Sequence, residues 1–158
     1  MFLMMLTLLH VAASLLGLVA GFSVLFGLIV SRQVDQWMAR FLWATLVTTL
    51  TGFLFPVHQL LPSHVVGLIE VVVLSLAFLA RQKLDLSGRW RRQFVIAVTV
   101  ALYFNTFVAI IQCFKHIPWL QTLAPTQSEP PFLVTQSIVL LLFIALGITA
   151  TRRFSAIP

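Results

Sequence analysis

The residues of this chain best suited to chemistry are four histidines, His10, His58, His64 and His116, and one carboxylate, Glu70. Neutral imidazole is the commonest metal ligand and carries protons near neutral pH. Two or three imidazoles with a carboxylate suit zinc, iron or copper. His10, His58 and Glu70 are therefore the candidate metal ligands. A b-type haem would need two imidazoles at matching depth on facing helices, and His10 with His58 is the pair that comes nearest. A His10–Glu70 pair in a wet cavity would instead handle protons. Met1, Met4, Met5 and Cys113 add soft sulfur that would favour copper(I), although an initiator and apolar packing account equally well for the methionines.

These groups stand out because little else is polar. The 158 residues are 60% hydrophobic and only 9% charged, and the mean hydropathy is +1.05. Such composition marks an integral membrane protein. Ionisable residues within a bilayer are costly, so each is a functional-site hypothesis by default. Nucleotide-binding, zinc-protease and serine-hydrolase motifs are absent. One cysteine gives no C-x-x-C-H and no internal disulfide. The net charge of +6 does not point to nucleic acid, because the basic residues sit at helix ends and form no basic helix.

Five apolar runs, 3–30, 41–61, 64–80, 92–116 and 132–151, predict an all-α bundle of five transmembrane helices in one domain spanning 1–158. The first run is too long for a signal peptide and reads as a retained span. Pro62 separates the second run from the third. Nine of the ten Lys and Arg residues fall on one side of this arrangement, and only Lys115 falls on the other. The positive-inside rule then predicts an outside N-terminus and a cytoplasmic C-terminus. Trp37, Trp43 and Trp90 mark the inner interface and Trp119 the outer. The stretch 117–131, IPWLQTLAPTQSEPP, predicts extended or turn backbone. It reads first as a Pro-rich connector, with a lid over the outer end as the alternative.

Helical phase sorts the polar residues into stripes. His10 aligns with Ser14, Gly17 and Gly21, and the glycines form a small-xxx-small pair suited to close helix approach. Glu70 aligns with Ser63 and Ala77. Asn105, Gln112 and His116 follow one line on the fourth span, and Gln136 aligns with Gly147 on the fifth. At 1.5 Å per residue His10 and Glu70 reach about the same depth, roughly 10 Å below the outer surface. The expectation is an outer-facing polar cavity centred on His10 and Glu70. His58 would be its third member, with Asn105, Gln112, His116 and Gln136 around it. Asn105 and Gln112 read first as helix staples, and His64 and His116 as solvated helix-end residues. Such a cavity would bind a metal, haem or a small polar-headed ligand. A small-solute or proton-coupled transporter working as an oligomer is the first alternative. An accessory subunit of a larger membrane complex is the second.

Three segments carry a resemblance: the His10 span with its glycines, Thr51-Gly-Phe-Leu-Phe-Pro56, and Leu123-Ala-Pro-Thr-Gln-Ser-Glu-Pro-Pro-Phe-Leu-Val134. Together they resemble uncharacterised small multi-pass inner-membrane proteins of bacteria, over most of the chain. That resemblance implies a bacterial inner membrane and no particular activity. The first two spans are more loosely similar to membrane proteins suspected of binding haem. The chain departs from those by having no histidine in its cytoplasmic loops.

Overall fold

The computed structural model describes residues 1–32, 34–56, 62–82 and 89–154. Its elements are α1 (Phe2–Ile29), α2 (Asp35–Gly52), α3 (Pro62–Gln82), α4 (Arg89–His116), α5 (Pro118–Leu123) and α6 (Pro130–Arg153). No strand occurs among the described residues. Four of the helices are long and apolar enough to cross a membrane: α1, α3 from His64, α4 and α6.

The second helix departs from expectation. It covers 35–52 rather than 41–61. Asp35 lies in its first turn, where a carboxylate complements the positive end of the helix dipole. Its other end follows from Pro56. A proline has no N–H and its ring clashes with the carbonyl four residues back, which here belongs to Gly52, the last helical residue. The helix is 18 residues long, so it extends about 27 Å. It carries Asp35 and Arg40 near its start and four threonines near its end, and is less apolar than its neighbours. α3 and α6 both begin on prolines, Pro62 and Pro130, whose missing N–H costs nothing in a first turn.

The seams fix the directions. Between α1 and α2, His10 meets Thr51, Ser14 meets Thr48, Gly17 meets Thr45 and Gly21 meets Phe41. One number rises as the other falls, so the helices are antiparallel. Between α2 and α3, Thr49 meets Glu70 and Trp43 meets Phe78. Between α4 and α6, Phe114 meets Phe132 and Tyr103 meets Phe143. Both pairs are antiparallel by the same logic. Between α1 and α4, Gly17 lies against Asn105 and Gly21 against Leu102, again antiparallel, so α1, α3 and α6 run one way and α2 and α4 the other. The described basic residues other than Lys115 lie toward one end. The opposite end carries α5, His64, His116 and Glu129.

The main core fills the middle and the basic half, with Ala20, Val24, Leu28, Phe41, Leu42, Leu74, Phe94, Val98 and Leu102 among its members. Gly21 lies where α1 crosses both α2 and α4 closely. A Cβ there would stand 2.5 Å from Leu102 Cδ1 and 2.8 Å from Phe41 Cε2, closer than real carbon contacts. Long apolar side chains such as Leu8, Val19, Ile69, Val72, Leu141 and Ile144 point outward and are exposed. Such an apolar exterior belongs in lipid contact.

The 117–131 segment is not wholly extended. Pro118 starts the short helix α5, which runs to Leu123. Ala124 packs with Phe114 and Phe132 in a small second core, and Gln127 Nε2 donates to Ile111 O at 3.1 Å. Gln127 is held at φ 59°. These contacts fasten the segment to the ends of α4 and α6.

Candidate functional site

Residues 45–51 of α2 read TLVTTLT, with threonines at 45, 48, 49 and 51. The helix advances 100° per residue. Thr45 and Thr49 therefore share one side, while Thr51 lies about 160° round from Thr49. Each side receives a different ionisable residue.

On the first side stands Glu70, 6% exposed. Its Oε2 lies 2.9 Å from the Thr49 hydroxyl, and the same hydroxyl lies 2.9 Å from Thr45 O. A threonine hydroxyl has one hydrogen to give, so it cannot serve both acceptors at once. If Glu70 carries a proton, it donates to Thr49 Oγ1 and Thr49 donates to Thr45 O. If Glu70 is ionised, Thr49 turns to it and Thr45 O loses that bond. Below Thr49, Asn105 Nδ2 donates to Thr45 Oγ1 at 2.9 Å. Gly17 of α1 lies over this bond, its Cβ direction 3.4 Å from Thr45 Oγ1 and 3.7 Å from Asn105 Nδ2. Four helices thus meet at one buried polar line, Glu70–Thr49–Thr45–Asn105. Glu70 Oε1 is buried and has no hydrogen-bond partner among the described residues.

On the other side stands His10, half-buried. Its Nδ1 is 2.9 Å from Thr51 Oγ1. That hydroxyl also reaches Val47 O at 2.7 Å and Thr48 O at 3.1 Å. With the Thr51 hydrogen given to one of these carbonyls, His10 Nδ1–H is the donor, and Nε2 is the remaining nitrogen. The ring meets Phe55 edge-on at 5.3 Å between centroids. Ser14 donates to His10 O at 2.7 Å.

The expected common level of His10 and Glu70 along the helices holds, since their partners are two residues apart on α2, about 3 Å along the axis. The expected pairing of the two does not. Helix α2 stands between them and gives each its own threonine. His58 lies outside the described residues. Asn105 and Gln136 are buried and staple helices, Gln136 through Nε2 to Phe107 O at 3.2 Å. Gln136 Oε1 has no partner among the described residues. Gln112 and His116 are exposed and border no cavity among the described residues; the stripe of α4 leaves the interior after Ala109. The ring of His64 meets Phe53 at 6.0 Å. No group of three or more His, Cys, Asp or Glu able to hold a metal occurs among the described residues. Sequence reasoning missed Thr45 and Thr49, although four threonines in seven residues of an apolar helix are a visible signal.

The chain matches no protein-family model, no curated protein and no solved structure.

Proposed function

We propose that this chain is a five-crossing membrane protein that takes up and releases a proton at Glu70, as part of proton-coupled transport of a small solute. The observation that carries this reading is the single Thr49 hydrogen between two acceptors, Thr45 O and Glu70 Oε2. Loading Glu70 restores a bond from Thr49 to the α2 backbone, and unloading removes it. Side-chain bonds of this kind to the carbonyl four residues back bend helices, so the proton sets the local shape of α2. A protonation event joined to a two-state element is the general basis of a proton switch. His10, one helix away at the same depth, is the second proton carrier. The alternating directions of α1, α2, α3, α4 and α6 support five crossings. The basic end then faces the cytoplasm by the positive-inside rule, in a bacterial inner membrane, and Glu70 lies in the outer half. Metal or haem ligation finds less support, because His10 and Glu70 face away from each other across α2.

Infrared difference spectroscopy across a pH titration tests the reading. Wild-type protein in lipid shows a carboxylic-acid band that appears and disappears with pH, and Glu70→Gln removes it. Proteoliposomes holding a pH dye show proton movement that the same substitution abolishes. A band unchanged by Glu70→Gln would sink the assignment. A C-terminal reporter found outside the cytoplasm would overturn the orientation.

A further inference from the structure

A second site lies at the other end of the bundle. A groove of about 630 Å³ runs between α4 and α6, with Arg92 and Arg152 at its mouth and Thr99, Tyr103, Phe143 and Ile144 among the residues deeper along it. A smaller hollow of about 290 Å³ adjoins it, sharing Arg92 and Ile96 and adding Arg89. Among the described residues no carboxylate lines either space. The antiparallel register places the start of α4 beside the end of α6, so the arginines gather at one level. From Arg92 to Tyr103 is eleven residues, roughly 16 Å at the helical rise. That is about half the ~30 Å hydrocarbon thickness of a bilayer, the depth of one leaflet.

We propose that this groove holds one anionic phospholipid of the inner leaflet. Its phosphate sits between Arg92 and Arg152, with Arg89 nearby, and an acyl chain lies along Ile96, Phe143 and Ile144 toward Tyr103. Charge selects the occupant. A zwitterionic headgroup would bring a cation to a mouth whose described lining offers arginines and no carboxylate, whereas an anionic one brings only what the arginines attract. Basic pockets between membrane helices on the cytoplasmic side bind anionic headgroups by this means. The groove shares no residue with the Glu70 line, so the site stands or falls separately from proton binding, and rests on the bundle crossing a membrane with its basic end at the inner leaflet.

Native mass spectrometry of the detergent-solubilised full chain tests it. The protein is titrated with phosphatidylglycerol, with phosphatidylcholine of the same chains, and with inorganic phosphate. Phosphatidylglycerol is expected to be retained as a single adduct in preference to phosphatidylcholine, and inorganic phosphate not to displace it. Each arginine near an anionic headgroup is worth roughly fivefold in binding. Arg92→Gln with Arg152→Gln therefore weakens phosphatidylglycerol roughly twenty-five-fold. Arg91→Gln with Arg153→Gln, outside the groove, leaves it unchanged. Equal retention of the two lipids, or equal loss in the two double variants, overturns the proposal. Full displacement by phosphate also overturns it, because the site would then be an anion site without a chain. Should the Arg92 and Arg152 variant lose helicity, Ile144→Trp decides: it narrows the apolar floor, and undiminished lipid retention would refute the site.

Discussion

Thr49 and Thr51 stand two residues apart on α2 and bond to opposite sides of it, Thr49 to Glu70 and Thr51 to His10. One helix therefore separates the two ionisable residues that lie at the same depth, and supplies each with a hydroxyl. The first prediction follows from the difference in their burial. Thr49→Val keeps the size of the side chain and deprives buried Glu70 of its described partner, at a cost of about 1–3 kcal/mol. Thr51→Val faces a half-buried imidazole and costs less, about 0.5–1.5 kcal/mol. Reversible unfolding in mixed micelles measures both, and equal losses would count against the asymmetry.

Gly17 and Gly21 belong to one small-residue pair but differ in clearance. Gly21→Ala presses on Leu102 and Phe41 and destabilises by about 1–3 kcal/mol, as overpacking does. Gly17→Ala meets its neighbours at ordinary contact distance, the nearest at 3.4 Å, and is close to neutral in the same unfolding assay. A larger loss at Gly17 than at Gly21 would contradict the packing described.

Asn105→Ala removes the donor to Thr45 Oγ1. Interhelical hydrogen bonds within membranes average ~0.6 kcal/mol and reach ~1.7 kcal/mol, and the enclosed position of Asn105 places this loss toward the upper figure. Gln112→Ala, at an exposed position on the same helix, leaves stability within about 0.5 kcal/mol. Comparable effects at the two sites would show that the α4 stripe continues inward past Ala109.

At the α5 end, desolvation is the largest single influence on Glu129 and raises its pKa, but hydrogen bonds from the Thr126 N–H, the Thr126 hydroxyl and the Ser128 N–H together outweigh it and hold the carboxyl below its ordinary 4.5. A carboxyl depressed by folding contributes order above its unfolded value and loses it as pH falls through the folded one. Amide exchange at Thr126 and Ser128 is therefore faster, relative to the rest of the chain, once the pH drops below about 4.5. Glu129→Gln shows that faster relative exchange already at neutral pH and no further step on acidification.

The helices were legible in the sequence because apolar length and proline positions determine them locally. Runs 3–30, 64–80, 92–116 and 132–151 end within three residues of α1, α3, α4 and α6. α2 departs from its apolar run because the two are offset. The run begins after Arg40, but the helix begins at Asp35, and Pro56 stops it through a carbonyl clash that hydropathy does not register. The common level of His10 and Glu70 along the helices is also legible, since position is counted along each helix alone. Their facing was not, because it depends on which helix lies between them. Asn105, Gln112 and His116 share one helical line, yet only Asn105 is buried. Burial along α4 depends on which neighbouring side chains reach each position, and a stripe read from one helix does not record that.

The antiparallel seam of α1 and α2 has a consequence for biogenesis. On its own, α2 is a poor candidate for partitioning into lipid, with an aspartate, an arginine and four threonines in or near 18 residues. Its partner precedes it in the chain and is joined to it by only a few residues. Met at the translocon as a hairpin, α2 arrives with Thr48 and Thr51 already matched to Ser14 and His10. The first helix thus escorts the second into the bilayer, and the tolerance of α2 for polar residues is a property of α1.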